Sequence, residues 1–199
     1  MARRSDHSRE ELKELALKSA EELLNSKSAS ELSTRQIATK MGYTVGTLYQ
    51  IFKNLPDLLL HVNTRTLARL YQDCQNLNLS TSDAQENILA YANVYLQFAH
   101  THPGQWELIF DNDILGHNEL PDCYLNQVNV LFSLIEIQLK ILSPSCSDQE
   151  ITKTSRVLWS SVHGICTLSI NNNLFANSNY HSDELIHSLI KHFIKGWRV

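Results

Sequence analysis

LSTRQIATKMGYTVGTLYQIFKNLPDLL, residues Leu32 to Leu59, decides how the rest of the chain is read. Ser33 opens the pattern Ser-x-x-Gln, in which the serine hydroxyl takes the amide of Gln36 while the glutamine side chain reaches back, so a helix is expected to start there. Ile37 and Ala38 are its apolar positions. Gly42 follows Met41 at the point where a helix ends most cheaply in a left-handed residue. Thr44 then suits the cap of a second helix carrying Leu48, Ile51 and Phe52. Two short helices across so tight a turn suit a helix-turn-helix. Its second helix enters the major groove of DNA while the first crosses the phosphate backbone.

The ordered run Ile37-Ala38, Met41-Gly42 and Gly46-Thr47-Leu48-Tyr49-Gln50-Ile51-Phe52 resembles the DNA-binding half of the tetracycline-repressor (TetR) family, over roughly Glu10 to Leu60. The resemblance implies that Thr47 and Tyr49 hold phosphates while Thr44, Val45, Gly46 and Gln50 face the groove. Arg35 matches a position that reaches a base in some members. The chain departs from the pattern at Leu55, where the family usually has a lysine whose ammonium joins the helix end in gripping a phosphate. The helix start survives, because Asn54 can cap, Pro56 is tolerated in a first turn and Asp57 suits the positive end of the dipole. Lys53 is the nearest substitute for the missing lysine.

With 199 residues and 43% hydrophobic content, the chain can bury a substantial core. A net charge of −4 speaks against nucleic acid only if it is uniform. Residues 1–70 hold 11 Lys/Arg against 8 Asp/Glu, or +3, whereas the remainder holds 6 against 13, or −7. The N-terminal part is therefore the face for phosphates, with the acidic remainder held away from them. Cys74, Cys123, Cys146 and Cys166 are widely spaced and read as reduced, buried thiols. No apolar run approaches the roughly 20 residues that span a bilayer, and the start leads into Arg9-Glu10-Glu11, so a cytoplasmic protein without a membrane partner is expected.

From the beginning, Ala2 to His7 form a short polar arm with Arg3 and Arg4, read either as disordered or as a phosphate or minor-groove contact, before the capping box Ser8-x-x-Glu11. Leu12, Leu15, Ala16, Ala20, Leu23 and Leu24 then recur on one face of a first helix reaching about Ser26. A long helix is expected from Leu55 to Gln75. The next is capped near Ser82-Asp83 and runs until Pro103 stops it. Trp106 to Phe110 reads as a short apolar turn and Asp111 to Leu120 as loop. Pro121 opens a helix ending before Pro144, Ser147-x-x-Glu150 caps another towards Ile170, and Asn171 to Asn173 break it. A last helix over Asp183 to Lys195 carries an apolar stripe broad enough for core and partner together. The expected architecture is all-α, with a three-helix DNA-binding domain over 1–54 and a larger helical effector-binding and dimerisation domain over 55–199.

In the C-terminal half, Trp159-Ser160-Ser161-Val162-His163-Gly164 resembles the Trp-x-x-x-His-Gly segment that names one C-terminal class of the same family. Trp159 and His163 share a helix face, and Gly164 permits close approach of another backbone. They read either as a core tryptophan over a hydrogen-bonded histidine or as a pocket wall, and the family's effector pocket lies inside the helical body. Tyr91, Tyr95, Phe98, Trp106, Phe110 and Phe132 are equally core aromatics or further wall. Their scarce charge implies an apolar or aromatic effector.

His100-x-His102 with Asp111-x-Asp113 has metal-ligand chemistry at a solvated helix end, and Glu184-x-x-His187 has the spacing of a di-iron ligand pair without the second pair that such a bundle needs. Neither a metal, a cofactor nor an enzyme is expected. The reading that follows is a transcriptional repressor, a homodimer on a palindromic stretch of double-stranded DNA, released by a small-molecule effector. The alternative is a helical enzyme or carrier with a vestigial helix-turn-helix.

Overall fold

The computed structural model of the chain describes residues 7–79, 83–111, 120–170 and 181–197. They form nine α-helices and one 3-10 turn, with no strand among the described residues. In chain order these are α1 (Arg9–Leu24), the 3-10 turn (Ala29–Glu31), α2 (Thr34–Met41), α3 (Val45–Tyr49) and α4 (Leu55–Gln75). α5 (Ala84–Thr101), α6 (Pro103–Ile109), α7 (Asp122–Leu142), α8 (Asp148–Ile170) and α9 (Ser182–Trp197) follow. Arg3, Arg4, Ser82, Asp113 and Asn171 to Asn173 lie outside the described residues.

The chain divides into two compact units. The first comprises residues Met1–Thr66 and His102–Tyr124, the second Leu67–Thr101 and Leu125–Val199. The expected division at residue 54 thus falls inside the first unit, which also takes in the start of α4 and all of α6.

In the first unit the helix starts follow the side-chain chemistry of the sequence. Ser8 accepts from the Glu11 amide at 3.3 Å while the Ser8 amide donates to the Glu11 carboxylate at 2.7 Å. Ser33 and Gln36 repeat the exchange at 3.3 and 3.1 Å. Each reciprocal pair satisfies amides that a helix start leaves without a carbonyl. α1, α2, α3 and the start of α4 then bury one core, in which Leu24, Ile37, Leu48 and Leu58 are almost wholly withdrawn from solvent. Each such side chain contributes about 1.5–3 kcal/mol of apolar burial. Arg65 fastens α4 to α1 through Glu14 at 2.7 Å and Glu21 at 2.9 Å, and Lys40 ties α2 to α1 through Glu22 at 2.8 Å.

α6 corrects the sequence reading. Pro103 does not merely stop α5. It occupies the first turn of a seven-residue helix, where its missing amide hydrogen is no loss, and Trp106, Leu108 and Ile109 are buried on that helix rather than in a turn. Leu108 joins the first unit's core, and its carbonyl accepts from the buried Asn63 amide at 2.9 Å. Gly104 brings the backbones together, since a Cβ built there would collide with the carbonyl oxygens of Leu24 and Lys27. At Gly164, where the close approach was expected, nothing among the described residues lies within 4 Å of an added Cβ.

The second unit packs α9 against α5 and α8, and α5 against α8. Asp83 caps α5 by accepting from the Gln85 and Glu86 amides at 3.1 and 3.0 Å. Ser147 caps α8 through the Glu150 amide at 3.2 Å. Ile186, Ile190 and Ile194 bury one stripe of α9, whereas Leu185, Leu189 and Phe193 beside it stay partly exposed. A buried Asn87–Gln138 hydrogen bond of 3.1 Å ties α5 to α7. The cysteine reading needs one correction. Cys74 and Cys166 are buried free thiols, pushed up to about 12 chiefly by burial, but Cys123 is exposed and Cys146 partly so.

Candidate nucleic-acid interface and aromatic cluster

Gly42 turns the chain at φ 75°, and the Tyr43 amide returns to the Ala38 carbonyl at 2.9 Å, closing α2. Two residues later Thr44 caps α3, its hydroxyl accepting from the Thr47 amide at 3.3 Å and lying 3.1 Å from the Thr47 hydroxyl. α3 is shorter than expected: it ends at Tyr49, and Ile51 and Phe52 follow in the turn beyond it, with the Phe52 amide still bonded to Leu48 O at 2.9 Å. Leu48 and Phe52 face the core. The opposite side presents Thr44, Gly46, Tyr49 and Gln50 to solvent, with Val45 and Thr47 half-buried at its margin. Tyr49 is the most telling of them, a large aromatic 54% exposed.

Arg35, in the first turn of α2, is exposed, and its guanidinium has no ion-pair partner among the described residues. Gly46 has room, an added Cβ meeting only the Thr44 hydroxyl at 3.6 Å. At the start of α4, Asn54 accepts from the Asp57 amide at 2.8 Å and Asp57 accepts from the Lys53 amide at 2.9 Å. Leu55 thus stands where the resemblance puts a phosphate-gripping lysine, and Lys53 keeps an exposed side chain two residues before it. The sequence reading placed His7 in the polar arm but did not anticipate its pairing with the turn, where Nδ1 lies 2.6 Å from the Tyr43 hydroxyl, because no local signal links groups so far apart in the chain. His61 stands edge-on to Phe52 at 5.7 Å, with burial, reinforced by Lys13 and opposed by Asp57, holding its pKa down.

In the second unit, α8 stacks Trp159 on His163 with centroids 5.2 Å apart and 22° between planes. Tyr95 of α5 bonds His163 Nδ1 through its hydroxyl at 2.8 Å and meets Trp159 edge to face at 6.5 Å. Phe132 of α7 meets Trp159 edge to face at 5.6 Å, and the Arg156 guanidinium sits 3.5 Å over the Phe132 ring while donating to Glu136 at 2.7 Å. Burial lowers the His163 pKa, favouring the neutral ring. Tyr91 lies elsewhere in this unit, buried with Cys74 and Leu134, and Phe98 is buried on α5. Trp106 and Phe110 pair edge to face at 5.2 Å in the first unit. The aromatics expected as one wall are thus divided between the units.

The metal-like spacings do not assemble. His100 Nε2 is 3.2 Å from the Ser169 hydroxyl, Glu184 and His187 both lie exposed on α9, and no cluster of three metal-binding side chains occurs among the described residues. No described helix is long and apolar enough to cross a membrane.

A capped two-helix unit with an outward polar face defines a helix-turn-helix DNA-binding protein. The comparisons narrow this class. Residues 16–62 match the model of bacterial regulatory proteins of the tetR family, and residues 88–193 match that of the tetracycline repressor-like C-terminal domain. The chain belongs to the TetR family of transcriptional regulators. No curated protein sequence matches it. Among solved structures it is similar to a protein of unknown function from Rhodococcus sp. RHA1 at 20% identity and a TM-score of 0.78, over 99% of this chain and 100% of that one. A TetR-family transcriptional regulator from Streptomyces coelicolor shares 17% identity at a TM-score of 0.67, over 95% and 100% of the two chains. The fatty acid degradation regulator FadR from Bacillus halodurans shares 14% at 0.64, over 94% and 96%. At these identities the likeness is one of fold.

Proposed function

We propose that this regulator is a homodimeric repressor that grips a near-palindromic operator through α3 and releases it when an apolar or aromatic small molecule binds in the second unit. The observation that carries the DNA reading is the outward face of α2 and α3, where Arg35, Thr44, Tyr49 and Gln50 are exposed over a buried Leu48. Thr47 and Tyr49 hold phosphates, Lys53 adds charge in place of the absent lysine, and Arg35 with Thr44, Val45, Gly46 and Gln50 faces the groove. Dimerisation through α8 and α9 is supported by apolar side chains there that the unit's own core leaves partly exposed, Val157 at 48% and the Leu185, Leu189 and Phe193 stripe among them. Two-fold symmetry then sets two reading heads about one DNA turn apart, or a multiple of it.

The effector reading draws on Tyr95, Phe132, Trp159 and His163, which join apolar rings to a few polar atoms as small-molecule sites do. α4 contributes residues to both units, so a ligand that prefers one setting of this helix alters operator affinity. By linkage DNA lowers ligand affinity by the same factor, typically about 1–3 kcal/mol of coupling.

Footprinting on the intergenic DNA flanking its own coding region tests the operator. Tyr49→Phe is expected to weaken binding to all sequences alike, and Arg35→Ala to cost about 1–3 kcal/mol with relaxed preference at one base position. Binding indifferent to Tyr49 and to salt would remove the DNA reading. A hydrophobic-ligand panel titrated against the operator complex tests the effector. Trp159→Ala and His163→Ala are expected to blunt release while sparing DNA binding, and equal release from wild type and both variants would displace the site from this cluster.

A further inference from the structure

Tyr43 is the turn residue immediately before Thr44, and its hydroxyl lies 2.6 Å from Nδ1 of His7. The two rings also meet edge to face, with centroids 6.0 Å apart and planes at 73°. His7 is exposed and directly precedes the Ser8 cap of α1. The pair therefore fastens the segment before α1 to the helix-turn-helix turn, beside the residue that caps α3. Tyr43 is half-buried and packs against the core, whereas His7 takes no part in that core.

The chemistry of the contact leaves one ring nitrogen available. The hydroxyl engages Nδ1, and Nε2 has no hydrogen-bond partner among the described residues. In the neutral ring a hydroxyl that donates to Nδ1 fixes the hydrogen on Nε2, and in the imidazolium both nitrogens carry hydrogen. Nε2–H is thus a donor in both protonation states, and the cation adds charge. The charged group facing His7 from α1 is Glu11, whose carboxylate is held by the Ser8 amide and whose pKa is lowered mainly by that bond, with a smaller contribution from His7. The group facing it from the turn is the Tyr43 phenol.

We propose that His7 is a DNA phosphate contact of the reading head and that Tyr43 is the residue that positions it. The proposal rests on the reading of the α2 and α3 face as the DNA surface. It extends that surface to a residue outside the helix-turn-helix, one that no motif within the helix-turn-helix marks.

The test is the affinity of the full-length protein for a mixed-sequence DNA duplex, because a phosphate contact does not depend on base sequence. Salt is varied for wild type, His7→Ala, His7→Lys, Tyr43→Phe, the double variant of His7→Ala with Tyr43→Phe, and Tyr49→Phe, with thermal melting to confirm folding. His7→Ala is expected to lose roughly threefold in affinity at moderate salt and to lower the salt slope by about one. His7→Lys keeps the wild-type salt slope. Tyr43→Phe weakens binding when His7 is present and adds nothing in the His7→Ala background, because the hydroxyl acts through the imidazole. A purely structural role for Tyr43 would weaken binding equally in both backgrounds and would overturn the positioning claim. If Tyr49→Phe weakens binding while His7→Ala matches wild type in affinity and salt slope, the His7 contact is overturned and the interface stands. If neither substitution has an effect, the interface fails and the contact with it.

Discussion

The helix-turn-helix and the Trp159–His163 cluster both carry a recognisable spacing, yet they are built differently. In the first, the decisive geometry is settled within a few residues: Ser33 with Gln36, Gly42 at φ 75°, Thr44 with Thr47. In the second, the hydrogen bond that defines the site joins Tyr95 to His163, 68 residues apart, and Phe132 arrives from a third helix. Local capping chemistry is written in adjacent residues, whereas the cluster exists only after α5, α7 and α8 have packed. Function assigned from the first rests on backbone hydrogen bonding. Function assigned from the second rests on packing, and a ring can share a sequence neighbourhood without sharing a site.

The sharpest challenge to this contrast uses two glycines. Gly104→Ala drives a methyl into the backbone carbonyls of Leu24 and Lys27, which cannot rotate away, and is expected to destabilise the protein by about 3 kcal/mol. Gly164→Ala meets open space on α8 and is expected to be neutral or to stabilise by up to about 1 kcal/mol through helix propensity. Chemical denaturation of the two variants separates them. Comparable losses would show that Gly164 is crowded by something that the described residues do not include.

Single hydrogen bonds carry smaller effects and divide the two regions by readout. Ser33→Ala removes a cap and is expected to cost about 1 kcal/mol of stability. Because α2 precedes the reading turn, DNA affinity should fall with it. Tyr95→Phe removes the hydroxyl on His163 at a similar cost of about 1 kcal/mol. There DNA affinity should hold while ligand response changes, as fluorescence anisotropy with labelled operator would show. A drop in effector-free DNA binding from Tyr95→Phe would mean that the regions are not separable.

The smallest effect is the pH dependence of stability. Burial lowers the pKa of His163, and burial with Lys13 lowers that of His61, so below the ordinary histidine value near 6.5 the unfolded chain takes up protons that the folded rings resist. Stability therefore falls as pH falls through about 6.5, and rises with pH above the depressed folded values. Urea midpoints between about pH 7.5 and about pH 5.5 should show this fall, and His163→Gln and His61→Gln should each flatten part of it.

The same contrast explains what was legible in the sequence. The helix starts at Ser8, Ser33, Thr44 and Ser147 were readable because each cap is a contact between residues three apart. The extent of α3 was not, since Ile51 and Phe52 keep helical spacing after the helix has ended at Tyr49. α6 was missed because Pro103 reads equally well as the end of one helix and the first turn of the next, and only Leu108 in the first unit's core decides between them. Trp106 and Phe110 were grouped with the other aromatics by composition. No periodicity in the chain states which unit a ring belongs to.

The assignment of His102–Tyr124 to the first unit bears on how this protein is made. Leu108 and Gly104 belong to the packing of α1 and α4, so the reading head is not complete when Thr66 leaves the ribosome. A further 58 residues, from 67 to 124, must be synthesised first. At bacterial and eukaryotic elongation speeds that is a wait of about 3–12 s, during which the apolar sides of α1 and α4 lack their last partner. A nascent chain stalled in this interval would expose sticky surface on its most basic segment, so the vulnerable moment in the life of this regulator comes before it has ever met DNA.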